Sequence, residues 1–305
     1  MKHDTVLVTA ATGRQGGATA RALLAQGHTS VRVLVRNPDA PNVRALAAAG
    51  AQVVIGDLDD PASLRAACAG ARAVFSMQAP IVSVSSIDFS KERKQGVNLV
   101  EAARAAGVDT FVHTATSGVG DHRKVEGWAE GRWRSHETYW ENKLATCELV
   151  RGAGFAHWTI ILPATFMDHV MLDPAGFADG RRLITVLRPD QLLGLIAPDD
   201  IGKAAAAAIL DPAAFHGVTL QLAGDVLTLP QIAEVLSRLD GKDYVVQSGT
   251  VEEAIAAGLH PGVAHGLAYM NVAPLLARPE LARACGLAPM RFETWARQQR
   301  GIFGR

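Results

Sequence analysis

Val6–Gly17 reads VLVTAATGRQGG: an apolar run, a turn carrying Gly13, Gly16 and Gly17, and at once the start of a helical pattern. Strand, glycine turn and helix in that order is the context a dinucleotide-binding turn requires. Gly13 lets the backbone pass close to a pyrophosphate, and Gly16 lets the helix pack tightly on the strand. The helix N-terminus then presents free N–H groups and a partial positive charge to the phosphates. The pattern departs from Gly-x-x-Gly-x-x-Gly at its first position, Ala10. Alanine suits a tight turn there if its φ stays negative. Thr9, Ala10, Thr12, Gly13, Arg14, Gln15 and Gly16 are the expected cofactor contacts of this turn.

Outward from the turn, short β-rich runs alternate with alanine-rich helical stretches. Strands are expected at Thr5–Ala10, Val31–Arg36, Gln52–Ile55, Ala73–Met77, Thr110–Thr114 and Trp158–Leu162. Most are continuous apolar runs, which suit a parallel sheet covered on both faces. Helices are expected at Gln15–Gln26, Asn42–Ala49, Ala62–Ala69, Phe89–Ala106 and His136–Gly152, closed by Gly27, Gly50, Gly70, Gly107 and Gly152. The rhythm predicts an α/β fold, a doubly wound parallel sheet. After Pro163 it changes. A Gly/Pro-punctuated stretch to Leu195 precedes a helix at Pro198–Leu210, capped by Asp199 or Asp200, a strand at Thr219–Leu222, a helix opened near Thr228 and a weakly polar helical tail. The expected division is residues 1–160 for the cofactor and 161–305 for a smaller, interleaved α+β lobe that closes the cleft over the substrate.

Composition narrows the function classes. Of 305 residues 49% are hydrophobic, and 30 basic residues balance 30 acidic ones. A disordered chain is excluded, and the neutral balance argues against nucleic acid as a partner. No apolar run approaches the length of a membrane span. Cys68, Cys147 and Cys285 are too few and scattered for a disulfide framework or zinc knuckle. With no secretory or transit pattern at the start, a cytoplasmic, reduced protein is expected.

The second strand speaks to the cofactor. An NAD site usually has an acidic residue at its end to hold the ribose hydroxyls. Here the strand ends in Arg36, followed by Asn37 and Pro38, with no carboxylate before Asp39. A guanidinium there can grip a 2′-phosphate bidentately, and Arg14 could add a second charge from the other side. NADP(H) is therefore expected over NAD(H), with NAD(H) still open. Asp57, after the third strand, is placed to accept from an adenine amino group, with helix capping as the plainer reading; Asp59 or Asp60 can also fill the capping role.

These residues, with the segments QGVNLVEAARAAGV, FVHTATSG, ENKLATCELVRGAGFAHWTIILPATFMD, PDDIGKAAAAAI and FHGVTLQLAGDVLTLPQIAEVLS, resemble the NmrA-like branch of the short-chain dehydrogenase/reductase superfamily across nearly the whole chain. The resemblance implies a Rossmann domain with a smaller C-terminal lobe and a nicotinamide cofactor. That branch includes both working reductases and cofactor-sensing regulators.

Tyr139 and Lys143 stand at i and i+4 in YWENK, on one helix face. The pair matches the superfamily's catalytic tyrosine and lysine. By that likeness Lys143 binds the nicotinamide ribose and its charge helps Tyr139 pass a proton to a carbonyl oxygen. Many members of the branch keep only the lysine, so Lys143 is the firmer assignment. Thr116 and Ser117 follow the fifth strand at the edge where ligands bind in open α/β sheets, and either could polarise a substrate oxygen; both are also ordinary turn formers. Gln78, Pro163 and Phe166, at the exits of the fourth and sixth strands, join the expected cofactor contacts, and Met167 is expected at the pocket wall. The charged stretch Gly118–His136 is expected to cover the nicotinamide end; its histidines and glutamates lack metal-site spacing.

The leading expectation is an NADP(H)-dependent oxidoreductase reducing a small, neutral carbonyl or quinone. A non-enzymatic NADP(H) sensor acting through protein contacts is the alternative, and a nicotinamide-dependent epimerase or isomerase a weaker one. Whether the chain pairs as a homodimer is left open.

Overall fold

Apolar residues in the strands alternate between two cores, which is why both faces of the sheet must be covered. Val6, Val8, Ala73, Phe75, Val112 and Ile161 pack into one core. Leu7, Val74, Phe111, Ile160 and Leu162 pack into the other. The computed structural model describes residues 4–28, 30–82, 87–169 and 182–299. The strands are β1 (Thr5–Val8), β2 (Val31–Val35), β3 (Gln52–Ile55), β4 (Ala71–Ser76), a minor pair β5 (Ile81–Val82) and β6 (Ile87–Asp88), β7 (Thr110–Thr114) and β8 (His157–Pro163). The helices between them are α1 (Arg14–Ala25), α2 (Pro41–Ala48), α3 (Pro61–Cys68), α4 (Glu92–Ala105) and α5 (Arg134–Gly152).

The main sheet has seven strands in the order β12-β8-β7-β4-β1-β2-β3, where β12 is Val218–Leu222. Every neighbouring pair in it is parallel. Residues of α1, α2 and α6 (Pro198–Leu210) line the first core, and residues of α3, α4 and α5 line the second. The doubly wound α/β reading holds. Chain order reverses between β1 and β4, and the crevice at that point is where such sheets bind ligands.

Strands β9 (Thr165–Phe166), β11 (Leu193–Ile196) and β13 (Asp225–Leu227) form a small second sheet, and β10 (Arg182–Thr185) pairs with β14 (Val245–Ser248). They enclose a third core with α7 (Leu229–Asp240) and the last helix, Phe292–Gln298. Asp200 and Asp225 tie that helix's approach down, accepting from the Met290 and Phe292 backbone at 2.6 and 2.9 Å. Residues 170–181 of the Gly/Pro-punctuated stretch and 300–305 of the tail lie outside the described residues.

Two local expectations are corrected and a third holds. The left-handed glycine behind α5 is Gly154, with φ +76°, while Gly152 is still helical. The cap of α6 is Ala197 in extended conformation; Asp199 and Asp200 sit in the first turn, where they complement the helix dipole. The expected start of α7 at Thr228 does hold, through a reciprocal capping box with Gln231.

Candidate functional site

The turn after β1 is held from both sides. Thr9 Oγ1 donates to the Phe75 carbonyl at 3.0 Å and accepts from the Met77 N–H at 3.1 Å. That pair of bonds stitches β1 to β4 where the strand order reverses. On the far side Asn42, from α2, donates to the Thr12 carbonyl at 2.6 Å. Ala10 has φ +51°, so the negative φ expected there is wrong. It takes the left-handed conformation of the glycine it replaces, at a cost of about 1 kcal/mol. The Gly13 N–H closes the turn onto the Ala10 carbonyl at 2.9 Å.

Gly16 has no room for a side chain: a Cβ would lie 2.3 Å from the Thr9 oxygen and 2.4 Å from the Ala10 oxygen. Its absence is what lets α1 start against the end of β1. Gly13 is the N-cap, no side chain caps this end, and no acidic residue stands in the first turn. Where Thr228 caps α7, nothing comparable consumes the N–H groups of α1, so they and the dipole's positive end suit a phosphate. Gln15 is buried, and its Oε1 accepts from Thr114 Oγ1 at 2.8 Å.

Arg36 follows β2 and is exposed. Arg14 reaches Asp168 and His169, its Nε 2.8 Å from the Asp168 carboxylate and its Nη1 2.7 Å from His169 Nε2. The Phe166 ring lies 5.0 Å from that of His169, the residue that the Arg14 guanidinium reaches. Asp57 does not cap α3: its Oδ1 accepts from the Asp59 N–H at 2.9 Å in the turn before that helix. Asp60 is the N-cap of that helix.

Lys143 sits where α4 and α5 meet. A Cβ on Gly96 would lie 2.8 Å from Thr146, so α4 and α5 approach closely there. One turn earlier on each helix, Glu92 Oε1 meets Lys143 Nζ at 2.9 Å, with only 4% and 12% of the two side chains exposed. Lys143 lies 5.0 Å over the ring of the half-buried Tyr139, which packs edge-on to Phe89. Gln78, Thr114, Asn142 and His113 complete a small cavity with the ion pair. Burial opposes the Lys143 charge, but Tyr139 and Glu92 outweigh it and hold the ammonium above the ordinary lysine range. Burial pushes the Glu92 carboxyl up, against the pull of Lys143. Burial, with Lys143 nearby, drives His113 down to about 3, so it is neutral. Its Nδ1 meets Ser76 Oγ at 3.2 Å, and Gln78 donates to the same hydroxyl at 3.1 Å.

Thr116 and Ser117 stand half-buried at the same edge. Ser117 Oγ donates to Gln221 of β12 at 2.7 Å, so in this structure its proton is spent on the sheet. Pro163 is buried and accepts from the Ser117 N–H at 2.9 Å. Met167 is fully buried in the third core, which settles it as packing. The stretch 118–136 is less a free cover than a packed one. His122 is buried between Trp128 and Trp140, and Trp133 donates to the Glu126 carbonyl at 2.8 Å. No metal-binding cluster occurs among the described residues, nor is any helix there long and apolar enough to cross a membrane.

A polar seam thus runs along the strand ends from Gln15 through Thr114 to Gln78 and Lys143. Glu92, Asp168 and His169 were missed in the sequence. Glu92 carried a signal: with Gly96, Leu99, Val100 and Ala103 it falls on the buried stripe of α4, where a carboxylate calls for a partner. Asp168 and His169 carried none, since Arg14 is some 150 positions away.

Comparison with known proteins agrees with this architecture. An NAD(P)H azoreductase of Xenophilus azovorans is 28% identical over 276 residues, covering 90% of this chain and 88% of the relative. An NADPH-dependent quinone oxidoreductase of Escherichia coli, solved in complex with NADPH, superposes with a TM-score of 0.76 at 24% identity, over 97% of this chain and all of the other. NmrA, a negative transcriptional regulator solved with NAD, gives 0.77 at 19% identity, over 99% and 97%. The sequence profile of the NmrA-like family matches residues 2–272. With that match running through glycine turn, sheet and crevice alike, the chain belongs to the NmrA-like family.

Proposed function

We propose that the chain is an oxidoreductase that binds NADP(H) in preference to NAD(H) and reduces a small, neutral carbonyl or quinone. The observation that carries this reading is the uncapped α1 terminus at the strand-order reversal, joined along one edge to the buried Lys143. The residues fit a dinucleotide. The space kept by Gly13 and Gly16 and the free N–H groups suit the pyrophosphate, and Arg36 suits a 2′-phosphate at the β2 end. Lys143 has N–H donors left beyond the one given to Glu92, and these suit the ribose hydroxyls. Residues 1–160 hold the cofactor on this reading, and 161–305 shape the substrate side.

The bound cofactor supplies the hydride. The chain positions it, and Tyr139, with Lys143 over its ring, donates the proton to the substrate oxygen. The names of the azoreductase and quinone oxidoreductase relatives support reduction of a conjugated, neutral acceptor.

The test follows NADPH absorbance with a panel of quinones and aldehydes. Wild type turns over with NADPH better than with NADH; Lys143→Ala abolishes turnover and Tyr139→Phe lowers it by about two orders of magnitude. Tight NADPH binding with no turnover on any acceptor would favour the second reading, a cofactor sensor, which the likeness to a transcriptional regulator supports. If Tyr139→Phe keeps the full rate, the proton comes from another group.

A further inference from the structure

Glu92 is an awkward residue for its place. It occupies the apolar stripe of α4 and is buried, and its Oε2 has no hydrogen-bond partner among the described residues. A carboxylate there is costly unless something holds it. Its Oε1 does have a partner: Lys143 at 2.9 Å, across the helix contact that Gly96 permits. Glu92 lines the same small cavity as Gln78, His113, Thr114 and Asn142. That cavity, about 10 Å³, is roughly the room of one water.

We infer that Glu92 is a positioning residue: its carboxylate anchors one N–H of Lys143 and so fixes where the ammonium's remaining donors point at the crevice. This rests on the reading of Lys143 as the ribose-binding group. A lysine has four rotatable side-chain bonds, and an unanchored one would lose that freedom only when the ligand arrives. The surroundings leave the anchoring to Glu92. Facing Lys143 are Glu92 from α4, neutral His113 from β7, and Tyr139 and Cys147 from α5 itself. The Cys147 thiol is pushed up to about 11 by burial and stays protonated. Of these groups Glu92 is the one that meets the ammonium itself with a hydrogen bond, at 2.9 Å.

The test uses the full chain as wild type, Glu92→Gln and Glu92→Asp, with Lys143→Ala to assign the Lys143 signal in side-chain lysine NMR. In Glu92→Gln the Lys143 signal titrates at lower pH than in wild type. NADPH affinity, read by calorimetry, falls about tenfold in alkaline solution, the low end for losing a charged hydrogen bond, and falls less near neutral pH. Glu92→Asp, which restores the charge, recovers most of both. A Lys143 titration unchanged in Glu92→Gln overturns the inference. So does an affinity loss equal at every pH that Glu92→Asp fails to relieve, because that is the mark of a merely structural residue. Absence of NADPH uptake by wild type overturns the cofactor reading alone; the NMR titration still decides whether Glu92 governs Lys143.

Discussion

Replacing Gly16 with alanine tests the closest contact in the site. The new Cβ would meet three backbone atoms: the Thr9 oxygen at 2.3 Å, the Ala10 oxygen at 2.4 Å and the Ala10 carbonyl carbon at 2.5 Å. Ordinary contact begins at 3.4 Å, so α1 and the end of β1 must part by about 1 Å. Backbone cannot swing aside as a side-chain tip can. Nor can α1 retreat, because Gly202 of α6 is pressed on the Ala18 backbone so closely that a Cβ there would lie 2.4 Å away. Overpacking of this kind costs about 3 kcal/mol, and alanine's better helix propensity returns about 1 kcal/mol. The expected net loss is therefore about 2 kcal/mol. It should appear in urea unfolding as a lower midpoint at an unchanged slope. The same displacement moves the N–H groups of the first turn, so NADPH binding by calorimetry should weaken as well. Gly152→Ala is the control: nothing lies within 4 Å of its Cβ and its φ is not positive, so it should be neutral or slightly stabilising. A Gly16→Ala protein with wild-type midpoint and wild-type NADPH affinity would refute the packing argument.

Two further outcomes follow from local geometry. Ala10→Gly relieves the φ of +51° and should raise stability by about 1 kcal/mol in the same unfolding assay; a lower midpoint would contradict the left-handed turn. Glu141 is held down to about 2 by Arg123 and then by His122, against an ordinary 4.5, so its contribution to stability is present above 4.5 and lost as pH falls toward 2. Glu141→Gln should flatten the acid loss of stability in that window, and parallel wild-type and variant curves would count against it.

What could be read from the residues alone was whatever depends on neighbours in the chain. Gln52–Ile55 and Thr110–Thr114 emerge with the expected bounds. Continuous apolar runs such as Thr110–Thr114, which is buried throughout, suit a parallel sheet covered on both faces. The glycine turn was legible because its strand, turn and helix are contiguous, and Tyr139 and Lys143 because helical spacing puts i and i+4 on one face. The folded chain decided everything that joins distant segments. Strand β12 entering the main sheet beside β8, Arg14 turning to Asp168 and His169, and Ser117 bonding to Gln221 are such cases. Met167 became core because the third cluster closes around it. Lys143 acquired its carboxylate partner only because Gly96 lets two helices meet, 51 residues apart in sequence. Local propensity and periodicity are properties of a short window, whereas a contact between segments depends on how whole elements pack. A side chain's partner across the crevice therefore has no signature in the stretch that carries it.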